Sequence, residues 1–368
     1  MATRIPIWLD CDTGHDDAYA ILLAAHHPQV RLLGISTVYG NAPLSHTTHN
    51  TRAILKAIGR EDIPVYEGAA KPFCRPAAAA PDIHGDTGLD GTTCLPSPTV
   101  PKRTDKTVIQ AIYEALIAEP AGTAWVVPTG CLTNIALLFA TCPDLEEHIA
   151  GLSIMGGAVG GGFSDAPVGK LHGEGDRFGN WTPWAEFNIY LDPESAAAVF
   201  HSPVLASKTT LITLDLTHQF LGTKDIQEGL LQGFIRNGTE IRSSTPPSKV
   251  RKLFVEILVF FAKTYAEVFG LVQGPPLHDP LAVAAAFVPH LFQDNNGERF
   301  DIRVVTEGDH GASSHVRSGE SQCGRTIVNP VPHGNSGVRI PRGLDKLAIW
   351  QLLDGCLDVA EKSSQAFS

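Results

Sequence analysis

The chain has 368 residues, of which 43% are hydrophobic, and a formal net charge of −11 at pH 7. This length and hydrophobic content allow a large buried core, in one big α/β domain or two. The negative charge argues against a general nucleic-acid or anionic-membrane binder, because both need clustered Lys and Arg, but it allows a small neutral substrate. No apolar stretch approaches the length of a membrane span, and the run at residues 5–9 is too short for a signal peptide.

The seven cysteines are scattered along the chain without a C-x-x-C pair. An odd, dispersed set is typical of reduced thiols in a cytosolic protein, and not of a disulfide framework or a zinc site. We therefore expect a soluble cytoplasmic protein that binds neither nucleic acid nor membranes.

The first element carries the most chemistry. An apolar run at residues 7–9 leads into the stretch DCDTGHDD, which holds four carboxylates at Asp10, Asp12, Asp16 and Asp17. A helical apolar pattern begins directly afterwards at Ala18. The pattern predicts a buried strand, a tight turn and a helix, with the acids at the carboxyl end of the strand, where open parallel sheets bind ligands.

Four carboxylates this close together raise one another's pKa unless a cation lies between them. Hard oxygen ligands without a Cys or His pair suit Ca²⁺ or Mg²⁺ and not Zn²⁺. The simpler alternative is an acidic loop that caps a helix, since Asp16 and Asp17 in a first turn favour the helix dipole. Capping does not explain Asp10 and Asp12 at the end of an apolar strand, so we favour a metal site.

The next 60 residues continue the alternation of strands and helices. Residues 31–38 predict a second buried strand, a helix with Ser45 as a possible N-cap follows, and residues 64–66 predict a short third strand. This rhythm indicates an α/β fold with a doubly wound, mostly parallel open sheet of Rossmann-like topology and helices on both faces.

Two long loops interrupt the alternation of strands and helices, at residues 71–104 and 156–184. Loops of this length are usually functional or disordered. Between them, a helix is predicted at about 107–118, a strand at 124–127, a further helix, and a strand at 151–155. After them come a helix at 193–200, a strand at 210–214 and helices near 223–236 and 249–269.

The C-terminal third contains an apolar helix that opens at His278-Asp279-Pro280, a strand near 300–305, and a last helix at about 344–360. There is no internal repeat and no linker between two cores, so we predict a single domain over residues 1–368.

Polar or unusual residues follow several of the predicted strands: Asp10 and Asp12, Asn41, Thr129, Met155 and Asp215. Because the carboxyl ends of parallel strands share one edge of a sheet, these residues describe a site at that edge.

The stretch from Asp10 to Asp17 resembles the D-x-D-P-G-x-D-D signature of nucleoside hydrolases, the inosine–uridine preferring N-ribohydrolases. Further blocks match that family in the same order, at residues 38–41, 83–85, 128–134, 154–157, 185–188, 215–218 and 278–280. The similarity covers nearly the whole chain. It departs at Thr13, which replaces the usual Pro, and at an insertion over residues 160–181 that includes His172, Glu174, Asp176 and Arg177.

The resemblance implies a Ca²⁺ site formed by Asp12, Asp17, the backbone carbonyl of Thr129, and Asp279, with Asp10 supporting it from behind. It also implies a set of residues that bind the ribonucleoside, with His84 beside the base and the others at or next to the ribose: Asp16, Asn41, His84, Met155, Asn180, Glu186, Phe187 and Asn188.

The implied reaction is hydrolysis of the N-glycosidic bond to free base and ribose. Asp12 would be the general base that activates a metal-bound water, and His278 would protonate the departing base, since its reference pKa of about 6.5 lies near physiological pH. The family also suggests a homodimer or homotetramer. The insertion leaves base preference open among uridine, inosine, cytidine and nicotinamide riboside.

Three alternatives stay open at the level of the sequence. His278 before Asp279-Pro280 could simply begin a helix, because Pro is favoured in a first turn. The acids could serve a Mg²⁺-dependent phosphohydrolase of nucleotides, although no Lys or Arg lies between Trp8 and Val30 to bind phosphate. The chain could also bind nucleosides or calcium without catalysis.

Overall fold

The structure is a computed structural model that describes residues 4–167, 178–233, 246–310 and 321–365. Within these residues, a six-stranded parallel sheet has the strand order β3-β2-β1-β4-β5-β6. The strands are β1 (Ile5–Cys11), β2 (Val30–Thr37), β3 (Val65–Glu67), β4 (Trp125–Pro128), β5 (Gly151–Met155) and β6 (Thr209–Ile212). The predicted α/β fold with a doubly wound parallel sheet is confirmed.

Helices precede and follow the strands in the alternation that the sequence indicates. They are α1 (His15–His26), α2 (Leu44–Ala57), α3 (Pro81–His84), α4 (Val108–Ile117), α5 (Thr133–Thr141), α6 (Leu145–His148), α7 (Phe187–Leu191), α8 (Pro193–His201), α9 (Pro203–Lys208), α10 (Leu214–Thr217), α11 (Lys224–Gln232), α12 (Lys249–Phe269), α13 (Asp279–Phe287) and α14 (Lys346–Gln365). Two antiparallel pairs lie outside the main sheet: β7 (Phe292–Gln293) with β10 (Gly343–Leu344), and β8 (Phe300–Val304) with β9 (Thr326–Pro330).

The core lies on both faces of the sheet, because successive residues of a strand point to opposite sides. In β1, Ile7 and Leu9 pack into an apolar cluster with α1, α12, α13 and α14, whereas Trp8 packs into a second cluster with α4, α5 and α8. Burying one such large side chain contributes about 1.5–3 kcal/mol. Strand β1 is therefore held rigidly from both sides.

From β1, the chain adds β2 and β3 on one side of the sheet and then returns to add β4, β5 and β6 on the other side. The order of the strands therefore reverses between the neighbours β1 and β4. In register, Asp10 of β1 lies opposite Ser36 of β2 and Pro128 of β4. A crevice forms at such a reversal, outside the carboxyl ends of the strands. The turns after β1 and β4 thus meet at the place where a doubly wound sheet binds its ligand.

The last strand of the sheet is shorter than predicted. It ends at Ile212, because the backbone N–H of Leu214 donates to the carbonyl of Gly157 at 3.0 Å and the chain leaves the sheet there. Asp215 consequently lies in α10 and not directly after a strand. Strand β8 confirms the strand predicted near 300–305. Its partner β9 and the pair of β7 and β10 were not predicted, since strands of two to five residues carry little periodic signal.

The seven cysteines all lie inside the described ranges and are free thiols. Among the helices of those ranges, none is long and apolar enough to cross a membrane.

Candidate active site

The turn between β1 and α1 is held closed by Asp17. One of its carboxylate oxygens accepts from the backbone N–H of Gly14 at 2.8 Å, and the other accepts from the Thr129 hydroxyl at 2.8 Å. Gly14 is required by close approach, since a Cβ at this position would lie 2.5 Å from Nδ1 of His84 and 2.7 Å from Nδ2 of Asn41. The turn after β1 is thereby tied to the turn after β4.

Three buried carboxylates form a cluster at this point. Asp16, Asp17 and Asp279 each offer one oxygen, and these oxygens all lie within 4.8 Å of one another. Asp16 and Asp17 belong to the first turn of α1, and Asp279 begins α13, so two helix N-termini favour the negative charge. A cluster of carboxylate oxygens at this spacing suits a hard divalent cation.

Asp12 lies beside the cluster and has one oxygen available. Its Oδ2 accepts from the backbone N–H of Asn41 at 2.8 Å, and Gly40 passes so close that a Cβ would overlap this carboxylate. Its Oδ1 is buried and finds no hydrogen-bond partner in the described parts of the chain. A buried carboxylate oxygen without a partner is costly, so Asp12 fits a bound cation or water.

Thr129 lies in the turn after β4. Its backbone carbonyl accepts from Nδ2 of Asn188 at 2.7 Å, which leaves one lone pair of the carbonyl oxygen for another contact. The geometry therefore allows this carbonyl as a metal ligand, and that role stays a prediction.

Burial is the largest cause of raised pKa values throughout the acidic group, and repulsion between its members adds to it. The pKa of Asp10 and of Asp16 rises to about 7. The pKa of Asp17 is raised, and those of Asp12 and Asp279 lie well above their ordinary values. A cation would reverse both effects, so the donor set, its burial and the unpartnered oxygen of Asp12 together fit a divalent metal.

Asp10 lies behind the cluster, away from the cavity. Its Oδ1 accepts from the Ser36 hydroxyl and from Nδ2 of Asn134, the latter at 2.8 Å. This position agrees with the predicted supporting place, between β2 and α5.

A cavity of about 500 Å³ opens beside the acidic cluster. Thr129, His278 and Asp279 line this cavity. All eight predicted substrate-binding residues also lie in its wall: Asp16, Asn41, His84, Met155, Asn180, Glu186, Phe187 and Asn188. Their individual roles toward a substrate stay predictions.

The polar side chains of this wall are fixed by internal hydrogen bonds. The Glu186 carboxylate accepts from the backbone N–H groups of Gly157, Asn188 and Ile189 at 2.9–3.0 Å, and so caps α7. Oδ1 of Asn180 accepts from the backbone N–H of Phe187 at 2.9 Å. Such bonds hold the donors and acceptors of the wall in place before any ligand binds.

His278 is bound on both ring nitrogens. Its Nδ1 lies 2.7 Å from the Thr217 hydroxyl, and its Nε2 lies 2.8 Å from the Tyr265 hydroxyl. Burial, and then the proximity of His218, lowers the pKa of His278 well below its ordinary value. A reference pKa near 6.5 therefore does not apply to His278, because burial favours its neutral form. Its role in protonating the departing base stays a prediction.

The aromatic side chains that α12 contributes to the cavity were not predicted. Phe261, Tyr265 and Phe269 come from one stripe of this helix, and Ile83 and Trp181 also line the cavity. Their spacing of four residues marks one face of the helix. Such a stripe usually packs into a core, and no local pattern distinguishes a core stripe from one that lines a cavity.

His15 was likewise missed. Its Nδ1 lies 3.1 Å from Nδ1 of His84, its Nε2 lies 2.9 Å from the carbonyl oxygen of Asp90, and its ring stacks on Phe260 and Phe261. Burial lowers the pKa of His15 to about 4 and that of His84 well below its ordinary value. Burial therefore favours the neutral form of both rings.

The start of the loop at 156–184 is anchored by Asp215, whose carboxylate accepts from the backbone N–H groups of Val159 and Gly160 at 2.7 and 2.8 Å. At its far end, Trp184 stacks on Phe178, and Arg325 lies 4.6 Å from the centre of the Trp184 ring. The charged residues His172, Glu174, Asp176 and Arg177 lie outside the described residues.

Comparisons with known proteins agree on one family. The model of the inosine-uridine preferring nucleoside hydrolase family matches residues 7–351. The uridine nucleosidase of Saccharomyces cerevisiae is 44% identical over 282 residues, which cover 76% of this chain and 75% of that protein. The pyrimidine-specific ribonucleoside hydrolase RihA of Photobacterium profundum is 36% identical over 83% of this chain and 86% of that protein. The structure of a purine-preferring ribonucleoside hydrolase from Gardnerella vaginalis superposes with a TM-score of 0.76 at 27% identity, covering 97% of this chain and 99% of that one.

Proposed function

The chain belongs to the inosine-uridine preferring nucleoside hydrolase family, and from this premise we propose that it cleaves the N-glycosidic bond of ribonucleosides, releasing free base and ribose. It is a hydrolase that acts on N-glycosyl compounds. The observation that carries the proposal is the pairing of two features around one cavity. One is the cluster of buried carboxylates, and the other is the group of His84, His278 and aromatic side chains that lines the same cavity.

The two features suit the two halves of the reaction. Water adds to C1′ of the ribose while the bond from C1′ to the base nitrogen breaks, so one proton must leave the water and one must reach the base. Asp12 is the proposed acceptor of the first proton, because its Oδ1 is buried and has no partner among the described residues. The hydrogen-bonded pair of His278 and Tyr265 is the proposed donor of the second.

We propose Ca²⁺ as the metal, held by Asp12, Asp17, Asp279 and the backbone carbonyl of Thr129. When bound, the cation would lower the pKa of a water molecule and orient the ribose hydroxyls. Asp16, predicted as a ribose contact, lies within the same carboxylate cluster and is proposed to neutralise the cation as well. Calcium fits this set because it accepts many carboxylate and carbonyl oxygens in flexible geometry.

Uridine is the proposed substrate. Two relatives, at 44% and 36% identity, are described as a uridine nucleosidase and a pyrimidine-specific ribonucleoside hydrolase, whereas the purine-preferring structure shares 27% identity. The phosphohydrolase alternative has less support, since no Lys or Arg is among the cavity-lining residues in the described part of the chain.

The test is ribose release from uridine, cytidine, inosine, nicotinamide riboside and 2′-deoxyuridine, before and after removal of metal with a chelator. We expect activity on ribonucleosides, loss of activity after chelation, and recovery with Ca²⁺. The deoxyribonucleoside should react poorly, because the polar groups that bind the 2′-hydroxyl would be left without a partner. Tight nucleoside binding without ribose release would refute hydrolysis, and phosphate release from nucleotides would favour the phosphohydrolase alternative.

A homodimer or homotetramer in the cytosol stays a prediction. Light scattering during size-exclusion chromatography would test the assembly, and microscopy of the tagged full-length chain would test the location.

A further inference from the structure

Two buried histidines meet edge to edge at the wall of the cavity. The Nδ1 atoms of His15 and His84 are 3.1 Å apart, and both rings are buried. A hydrogen bond between two ring nitrogens needs a proton on one of them and a free lone pair on the other. The shared proton can therefore lie on Nδ1 of either histidine, and the neighbouring groups determine which one carries it.

The backbone carbonyl of Asp90 determines where the protons of His15 lie. Its backbone carbonyl oxygen lies 2.9 Å from Nε2 of His15 and can only accept, so Nε2 of His15 carries a proton. The loop around this carbonyl is fixed, because the Asp90 carboxylate accepts from the backbone N–H of Asp86 at 2.9 Å and from the Thr87 hydroxyl. The ring of His15 stacks on Phe260 and Phe261, which fixes the direction of its two nitrogens. An imidazole whose proton is on Nε2 keeps a lone pair on Nδ1, so Nδ1 of His15 is the acceptor.

His84 must consequently donate through its own Nδ1. A neutral imidazole has one donor and one acceptor, so Nε2 of His84 is left as an acceptor. In the described residues this Nε2 has no hydrogen-bond partner, and the ring lines the cavity.

We infer that His15 is a positioning residue for base selection: hydrogen-bonded to Asp90, it holds His84 in the tautomer whose Nε2 accepts a hydrogen bond from a ring N–H of the substrate's base. The inference rests on the proposed function, since it needs a nucleoside in this cavity. It favours bases whose ring nitrogen carries hydrogen beside a carbonyl, as in uracil and hypoxanthine. Cytosine and adenine present an unprotonated ring nitrogen at the equivalent place, which would face the lone pair of Nε2. We expect kcat/KM for uridine to exceed that for cytidine by about tenfold or more.

The first test changes His15 and measures the ratio of kcat/KM for uridine and cytidine. His15→Phe keeps a flat ring against Phe260 and Phe261 but removes the acceptor, so His84 is free to carry its proton on Nε2. The ratio should fall about tenfold in this variant. His15→Asn places an amide oxygen near the former Nδ1 and should restore the ratio at least in part. A general loss of structure would lower kcat/KM for both substrates by the same factor and leave their ratio unchanged. An unchanged ratio in His15→Phe would overturn the inference.

The second test reads the tautomer directly. Nitrogen-15 NMR of protein with labelled histidine distinguishes protonated from unprotonated ring nitrogens, with the His84 signals assigned by their absence in His84→Ala. We expect a protonated Nδ1 and an unprotonated Nε2 in the unmodified protein, and a shift of the proton to Nε2 in His15→Phe. A protonated Nε2 in the unmodified protein refutes the inference, even where His15→Phe fails to fold. This readout needs no turnover, so it separates failure of the inference from failure of the proposed hydrolase activity.

Discussion

The carboxylate of Asp12 is bound asymmetrically, with Oδ2 accepting from the Asn41 backbone and Oδ1 without a partner among the described residues. Asp12→Asn keeps the size of the side chain and removes its capacity to accept a proton. General base catalysis is typically worth 10²–10⁴-fold, so we expect kcat for uridine to fall by roughly 10³-fold. Steady-state kinetics with Ca²⁺ in excess measure this change.

The matched control for Asp12 is Asp62→Asn, on an exposed aspartate that pairs with Arg60 at the surface. It should leave kcat unchanged. If Asp12→Asn retained full activity in a protein that melts normally, the proposed role of Asp12 would be wrong.

The Tyr265 hydroxyl lies 2.8 Å from Nε2 of His278 and is the one hydrogen-bond partner of that nitrogen among the described residues. Tyr265→Phe should lower kcat by about tenfold with little change in KM, because a hydrogen bond that assists the leaving base matters mainly in the transition state. Tyr113→Phe is the matched control, since it removes a surface hydroxyl that donates to Asp144 at 3.1 Å. An equal effect of both substitutions would contradict a role for Tyr265.

At the residue scale, the acids that the sequence singles out lie near one another in the structure. Asp17 and Asp279 form a cluster with Asp16, and Asp12 lies beside it, while their roles as metal ligands stay predictions. Tyr265 was missed because it lies in the apolar stripe of a long helix, where an aromatic residue normally packs in a core. His15 was missed because its partner, His84, is 69 positions away and nothing local indicates their contact.

At the element scale, helices with a strong pattern were predicted well. The helix at 249–269 was predicted with the bounds it has as α12, because a Ser248 N-cap and a C-terminal Gly270 mark its ends. The strand at 210–214 was placed too long, because only the tertiary contact of Leu214 with Gly157 ends it at Ile212. Contacts between segments that are distant in the sequence decide such boundaries, and local patterns do not contain them.

Helices α12 and α14 are joined by a buried ion network around Arg251. Its guanidinium contacts Asp354 at 2.8 Å, Asp358 at 2.6 Å and Glu361 at 3.1 Å, and the Arg251 side chain is 6% exposed. Breaking a buried pair by removing one partner costs several kcal/mol, so Arg251→Met should lower the free energy of unfolding by about 3 kcal/mol. Urea denaturation measures this loss.

The neighbouring residue provides the control for Arg251. Lys252 pairs with Glu256 at 3.5 Å on the surface of the same helix, and its side chain is 56% exposed. Lys252→Met should change the free energy of unfolding by less than about 1 kcal/mol. If the two substitutions had equal effects, the network around Arg251 would not stabilise the packing of these helices.

At the scale of the whole molecule, the sequence predicts the type of sheet but not the order of its strands. Alternating strands and helices predict a parallel doubly wound sheet, and short connections with right-handed crossovers narrow the choices. They do not fix the neighbours of β1. The structure puts β1 beside β4, which brings Asp10 next to Pro128 and so aligns Thr129 with the acidic turn.

The acidic cluster joins the turn after β1, the turn after β4 and the start of α13, so a cation bound there should stabilise the entire fold. We expect Ca²⁺ to raise the melting temperature of chelator-treated protein, since a ligand that binds only the folded state stabilises it by about 4 kcal/mol at 1,000 times its Kd.

This stabilisation should depend on pH in a defined direction. The pKa of Asp16 is raised to about 7 without a cation, and those of Asp12 and Asp279 lie well above their ordinary values, so the cluster holds protons at pH 5 that Ca²⁺ must displace. At pH 7 fewer protons compete, and the increase in melting temperature on adding Ca²⁺ should be larger than at pH 5. The buried histidines are present in both samples, so comparing samples with and without Ca²⁺ at each pH largely cancels their contribution. Calorimetric titration should also show proton release on binding, and a smaller effect of Ca²⁺ at pH 7 than at pH 5 would mean that these carboxylates do not bind it.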